Sequence, residues 1–115
     1  MKDMVTFSPQ STFCPVAYAV KVIDGKWKLP ILWVLSKNGT LRYNELKKSI
    51  EGITNMMLST SLKELEQEGI INRFQYNEMP PHVDYCLSET GKKLLPVLDE
   101  LAKYGEELLK SKNQA

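Results

Sequence analysis

The apolar residues between Tyr43 and Leu87 follow two different periods, and the switch between them limits the fold more than any other feature of the chain. Tyr43, Leu46 and Ile50 share one face of a short helix, with Lys47 and Lys48 on another. A turn, Glu51-Gly52-Ile53-Thr54, leads into a second helical stretch from Asn55 to Glu68. There Thr54 can cap the first amides and Gly69 can end the last turn. At about 100° per residue, Leu58, Ser61, Leu62 and Leu65 fall on one side, leaving Met56, Ser59, Thr60, Lys63 and Gln67 toward the other. A period of two then takes over in Ile70 to Tyr76 and in His82 to Leu87, on either side of the proline tip Glu78-Met79-Pro80-Pro81. Helix, tight turn, helix and hairpin in that order predict a mainly α chain with a small β-hairpin (α+β), a winged helix-turn-helix.

The flanks are also helical. Pro15 suits a first helical position, and Val16, Ala19, Val20 and Ile23 repeat at helical spacing until Asp24-Gly25. A second helix, about Trp27 to Ser36, is apolar on almost every side and belongs at the centre of the core, with Pro30 tolerated in its first turn. A short extended link, Thr40-Leu41-Arg42, joins it to the helix-turn-helix. After the hairpin, Ser88 caps a helical region through Leu94, Leu95, Leu98, Leu101, Tyr104, Leu108 and Leu109, interrupted or bent at Pro96. That apolar last helix needs a partner surface, on this chain, on a second copy, or on both. The 115 residues thus read as a flexible arm (1–13), one domain with terminal dimerisation helices (14–111) and a tail (112–115).

Charge and side-chain chemistry locate a candidate site. Through Ile50 there are eight Lys/Arg against three Asp/Glu, and after it seven against eleven, so basic charge gathers in the first half although the net charge is +1. Lys26, Lys28, Arg42, Lys47 and Lys48, with Arg73 at the wing, are the candidates for contacting phosphates. Asn55, Met56, Ser59, Thr60 and Lys63 carry groups that can read base edges: a two-bond pair with adenine, hydroxyl donors and acceptors, a thymine methyl contact and a guanine or phosphate contact. The bland alternative is an ordinary solvated helix face. Met79, Pro80, Pro81 and His82 form the wing; His82 is either a pH-sensitive contact or a plain hairpin-edge residue. Trp27 and Trp33 are read as core rather than as ligand-stacking residues. Cys14 precedes a helix N-terminus, which favours thiolate character and hence a redox sensor, against the alternative of a small half-buried cap. Cys86 is read as structural.

The chain resembles the HxlR-type transcriptional regulators, a branch related to the MarR-like winged helices, over roughly Cys14 to Gly105. The resemblance lies in Cys14-Pro15, Asp24-Gly25-Lys26-Trp27-Lys28 with Ile31-Leu32, Arg42-Tyr43-Asn44-Glu45-Leu46, Met57-Leu58, Leu62-Lys63-Glu64-Leu65-Glu66, Pro80-Pro81-His82-Val83-Asp84-Tyr85 and Leu87-Ser88-Glu89-Thr90-Gly91. Arginine commonly follows the paired prolines in such proteins; here it is His82. The resemblance implies a homodimer built from the terminal helices, with Val16, Ala19, Val20, Leu98, Leu101, Tyr104 and Leu108 at the interface. It also implies a recognition helix in the major groove of double-stranded DNA, a wing near the minor groove, and in some members a sensor cysteine at the place of Cys14.

Other classes find little support. Cys14 and Cys86 lack the paired spacing of a zinc site, and one histidine rules out a multi-His centre, so neither metal nor cofactor is expected. No P-loop, nucleophile elbow or dinucleotide fingerprint points to an enzyme. No run nears the roughly 18 apolar residues of a membrane span, and no signal-peptide core follows Met1, so a cytoplasmic protein is expected. The rival reading is a winged helix that binds a protein instead of DNA. A small apolar ligand or an oxidant is the candidate effector.

Overall fold

The computed structural model describes residues 4–8, 10 and 13–113. Among these described residues six helices and three strands follow one another as α1 (Pro15–Ile23), α2 (Lys28–Asn38), β1 (Leu41–Arg42), α3 (Tyr43–Ser49), α4 (Asn55–Gln67), β2 (Ile71–Tyr76), β3 (His82–Leu87), α5 (Glu89–Lys92) and α6 (Leu95–Asn113). This is a winged helix-turn-helix, mainly helical with a small antiparallel sheet.

The core is assembled from one face of each central element. Ile31, Leu32 and Leu35 of α2 meet Leu46 of α3, Leu58, Leu62 and Leu65 of α4, and Ile71, Tyr85 and Leu87 of the sheet. The α4 spacing read from the sequence holds: Leu58, Ser61, Leu62 and Leu65 are its buried residues. Both ends of α4 are fixed by local chemistry. Thr54 accepts from the Met57 amide at 3.1 Å, and Gly69 leaves the helix at φ 76°, a left-handed conformation that glycine adopts without a Cβ penalty.

The sheet has three strands rather than two. The link at Leu41-Arg42 pairs antiparallel with β3, Leu41 opposite Tyr85 and Arg42 opposite Asp84, and β2 pairs with the other edge of β3. Two residues are too few for alternation to register in a sequence, and only the pairing makes them a strand. The alternation expected of β2 does not become alternating burial, since Ile71 alone is buried there. Beyond that residue the hairpin outgrows the helices behind it, so Phe74 and Tyr76 remain exposed on an edge strand.

At the C-terminal side the helix breaks before Pro96, not at it. α5 ends at Lys92 and α6 starts at Leu95, which puts Pro96 in the first turn of α6, where a missing amide donor costs little. α6 runs through Asn113, two residues beyond the domain end expected at 111, so Lys112 and Asn113 of the expected tail are helical. Of the arm expected at 1–13, residues 4–8, 10 and 13 carry neither helix nor strand, and the remainder lies outside the described residues.

Two expectations about the apolar helices need correction. Trp27 is half-buried against the core as expected, but Trp33 lies on the outer side of α2, 37% exposed, with the Lys37 ammonium 4.5 Å from its ring. The helix carries more apolar residues than its core-facing side can hold. Leu98 is only 4% exposed and belongs to the chain's own core, whereas Leu101, Tyr104 and Leu108 project outward from the same helix. Leu98 therefore serves the chain's own core and leaves very little surface for a second copy.

The seam between sheet and C-terminal helices is tight. The Ile70 carbonyl accepts from the Ser88 amide at 2.9 Å, and Ser88 Oγ both donates to the Gly69 carbonyl at 2.6 Å and accepts from the Gly91 amide at 3.0 Å. A Cβ at Gly91 would overlap the Ile70 carbonyl oxygen. Gly91→Ala is expected to cost about 1–3 kcal/mol through overpacking. Thermal unfolding should show a fall of about 4 °C or more in Tm for each kcal/mol, and an unchanged Tm would mean that α5 does not abut the sheet.

Candidate nucleic-acid interface

α4 is the second helix of the helix-turn-helix, and its outer face carries a row of exposed side chains on a rigid element. Asn55, Met56, Ser59, Thr60 and Lys63 are all exposed on it, Met56 at 79%. The first turn of α4 contains no acidic residue, so the partial positive charge of the helix N-terminus is not offset by a neighbouring carboxylate. An end of that kind suits an approach to phosphate.

Tyr43, placed from the sequence on one face of α3 with Leu46 and Ile50, also belongs to this site. It is half-buried at the start of α3, and its hydroxyl lies 3.2 Å from the Asn55 carbonyl oxygen, 3.2 Å from Asn55 Oδ1 and 3.0 Å from Ser59 Oγ. Residue spacing gives no sign of this contact, because it joins two helices across the turn.

The candidate phosphate residues divide by surroundings. Lys26 is exposed, its ammonium 4.9 Å from the Trp27 ring, and it lines a groove with Met56 and Thr60 on the flank of α4. Lys28 lines the same groove, but its ammonium is 2.9 Å from Glu64 and its side chain is only 13% exposed. The carboxylate of α4 therefore neutralises the charge that the sequence offered to DNA. Arg42 is exposed at the N-cap position of α3, where its amide donates to Glu45 Oε1 at 2.8 Å. Lys47 is half-buried and Lys48 exposed on α3. Arg73 is exposed on β2, donating to Gln75 Oε1 at 3.3 Å.

The wing residues also divide. Met79, Pro80 and Pro81 are exposed at the tip, Met79 at 94%, while His82, the first residue of β3 and paired with Tyr76 beside the tip, is half-buried. Its ring stacks on Tyr76 with centroids 4.7 Å apart, and Nε2 is 3.8 Å from Asp84 Oδ1. A cleft of about 430 Å³ lies between this end of the hairpin and the start of α3, lined by Arg42, Tyr43, Asn44, Pro80, Pro81, His82 and Val83.

Away from this face, α1 and α6 expose apolar side chains: Val16 at 63%, Val20 at 44%, Leu101 at 53%, Tyr104 at 60% and Leu108 at 53%. Ala19 is exposed too and lines an apolar cavity with Val22, Ile23, Ile70 and Leu94. Cys14 is the N-cap residue of α1 and Cys86 sits on β3; both are half-buried thiols. Among the described residues no group of three or more His, Cys, Asp or Glu is placed to hold a metal ion. Among the described residues no helix is long and apolar enough to cross a membrane either.

The family model for the HxlR-like helix-turn-helix matches residues 22–113. The chain belongs to that family. An uncharacterized HTH-type transcriptional regulator of Methanothermobacter thermautotrophicus (strain Delta H) is 48% identical over 93 residues, covering 81% of this chain and 70% of that protein. A solved structure from Porphyromonas gingivalis W83, described as a transcriptional regulator of the MarR family, superposes with a TM-score of 0.82 at 41% identity, covering 90% of this chain and 98% of the other. The redox regulator HypR is similar in both of its forms. The reduced form gives a TM-score of 0.79 at 35% identity over 88% of this chain and 99% of the other, and the oxidised form 0.75 at 38% over 82% and 96%. This HxlR-family chain is accordingly a transcriptional regulator with a helix-turn-helix DNA-binding domain.

The division among the lysines has a measurable consequence. On a DNA duplex, Lys63→Ala should weaken binding and reduce the slope of log affinity against log salt by roughly 1. Lys28→Ala should leave that slope unchanged, because Glu64 already neutralises the charge it removes. Equal losses of slope in the two variants would contradict this arrangement.

Proposed function

We propose that the protein binds double-stranded DNA as a homodimer, α4 of each copy entering the major groove at one half of a pseudo-palindromic operator, and that it represses the genes beside that operator. The observation that carries this reading is the outer face of α4. Five side chains able to read base edges stand exposed on a helix whose opposite face, Leu58, Leu62 and Leu65, is at most 2% exposed. In this role Asn55 pairs with adenine, Ser59 and Thr60 exchange hydrogen bonds with base edges, Met56 meets a thymine methyl, and Lys63 reaches guanine or phosphate. Lys26, Arg42, Lys48 and Arg73 fix register on the phosphates, with Lys47 beside them, while the tip at Met79, Pro80 and Pro81 follows the adjoining groove. Repression follows from steric occupancy where the operator overlaps a promoter, and the site of action is the cytoplasm.

The dimer rests on α1 and α6. Val16, Val20, Leu101, Tyr104 and Leu108 leave apolar area in water, which a second copy would remove at a gain of roughly 25 cal/mol for each Å². Two reading helices related by a two-fold axis call for half-sites about 34 Å apart, or a multiple of that distance. A redox signal is the second element. Similarity to the redox regulator HypR supports an oxidant signal, and Cys14 is the thiol assigned to it here because its place at the head of α1 would couple that chemistry to the proposed dimer surface.

Sedimentation of the protein with a duplex carrying its selected site tests both elements. Two chains per duplex are expected, with release after peroxide treatment of the wild-type protein and none for Cys14→Ser. One chain per duplex would contradict the dimer, and equal release from Cys14→Ser would remove Cys14 as the sensor.

A further inference from the structure

We infer that Tyr43 is a positioning residue for base recognition, its hydroxyl setting which hydrogen-bonding groups of Asn55 and Ser59 face the DNA. The inference rests on the reading of α4 as the base-reading helix, and goes beyond it by naming what orients the readers. Asn55 and Ser59 lie one turn apart on α4, and the Tyr43 hydroxyl reaches both, at 3.2 Å from the Asn55 carbonyl oxygen and Oδ1 and at 3.0 Å from Ser59 Oγ. The half-buried ring holds that hydroxyl in place, since Tyr43 packs against the apolar core.

One set of hydrogen-bond directions serves both oxygens of Asn55 at once. A phenolic hydroxyl has one proton to donate and lone pairs to accept. The Asn55 carbonyl oxygen and Oδ1 can only accept, and the Tyr43 hydroxyl serves both when its proton is shared between them. Between Tyr43 and Ser59 either oxygen can donate, and with the Tyr43 proton on Asn55 the donor is Ser59 Oγ–H. Ser59 has thereby committed its only proton inward, and it turns lone pairs toward the groove. It becomes an acceptor, selecting a base with an exocyclic amine, adenine or cytosine. Asn55 keeps its two N–H groups and the second lone pair of Oδ1, the donor and acceptor that adenine N7 and N6 require. The contact involves no phosphate and no charge. Tyr43 therefore acts on sequence preference and leaves the salt-dependent part of the affinity alone.

The test compares wild type, Tyr43→Phe, Ser59→Ala and the double variant in selection from randomised half-sites and in competition between the selected duplex and a scrambled one. Phenylalanine keeps the ring and loses only the hydroxyl. Tyr43→Phe should retain the melting temperature, the salt slope and the affinity for scrambled DNA, while preference for the selected site falls about tenfold. The loss should concentrate at the base pair facing Ser59, where amine-bearing bases are no longer favoured, and should be much smaller in the Ser59→Ala background. Preference within about twofold of wild type at every pair would overturn the inference. So would a parallel loss of specific and non-specific affinity together with a lower melting temperature, the pattern of a purely structural residue. If wild type selects a site and Asn55→Ala abolishes the preference while Tyr43→Phe does not, only the inference falls. If wild type selects no site, the reading of α4 falls with it.

Discussion

Burial of one face of α4 is the constraint on which the rest of the molecule depends. Leu58, Leu62 and Leu65 are enclosed by Ile31, Leu32 and Leu35 of α2, Leu46 of α3 and the sheet residues Ile71 and Leu87. A helix held this way cannot roll about its axis without lifting leucines into water, at about 1.5–3 kcal/mol for each side chain. The direction of Asn55, Ser59, Thr60 and Lys63 is therefore fixed by the leucines beneath them. The caps at Thr54 and Gly69 fix the ends of the same helix, so its N-terminus, free of acidic side chains, is presented at a defined place. Recognition by a protein of this size needs that rigidity, because side chains ordered before binding lose less entropy on contact.

The wing and the terminal helices are attached to this centre by backbone chemistry. β3 is shared: β1 pairs with one edge and leads directly into α3, while β2 pairs with the other and follows directly from α4. A displacement of the hairpin would therefore strain both helices of the helix-turn-helix. Ser88 closes the other side of the frame through Gly69, Ile70 and Gly91. α6 then leaves the body with Leu98 turned inward and Leu101, Tyr104 and Leu108 turned outward. One helix thus serves the chain's own core and carries the surface proposed for a second copy.

Much of this frame was legible in the sequence because it is written in local spacing. The α4 face follows from leucines three and four apart, Thr54 and Gly69 announce the helix ends, and the proline tip marks the hairpin. What the sequence concealed depends on contacts between distant residues. β1 is two residues long and exists only by pairing with β3. Lys28 counts as basic until the fold brings Glu64 beside it. Trp33 and Leu98 were misassigned because an apolar residue on a helix does not reveal which of two packed sides it serves. Tyr43 was hidden for another reason: its ring belongs to the core and its hydroxyl to the interface, and periodicity detects only the ring.

Methylation interference on the selected duplex addresses the placement of α4 most directly, because it separates the two grooves chemically. Guanine N7 lies in the major groove and adenine N3 in the minor groove. With α4 of two copies reading the major groove, methylation at N7 should block binding in two blocks whose centres lie about 34 Å apart or a multiple of it. Interference confined to adenine N3, or absent from N7 throughout the protected site, would mean that the exposed face of α4 is not what reads the DNA.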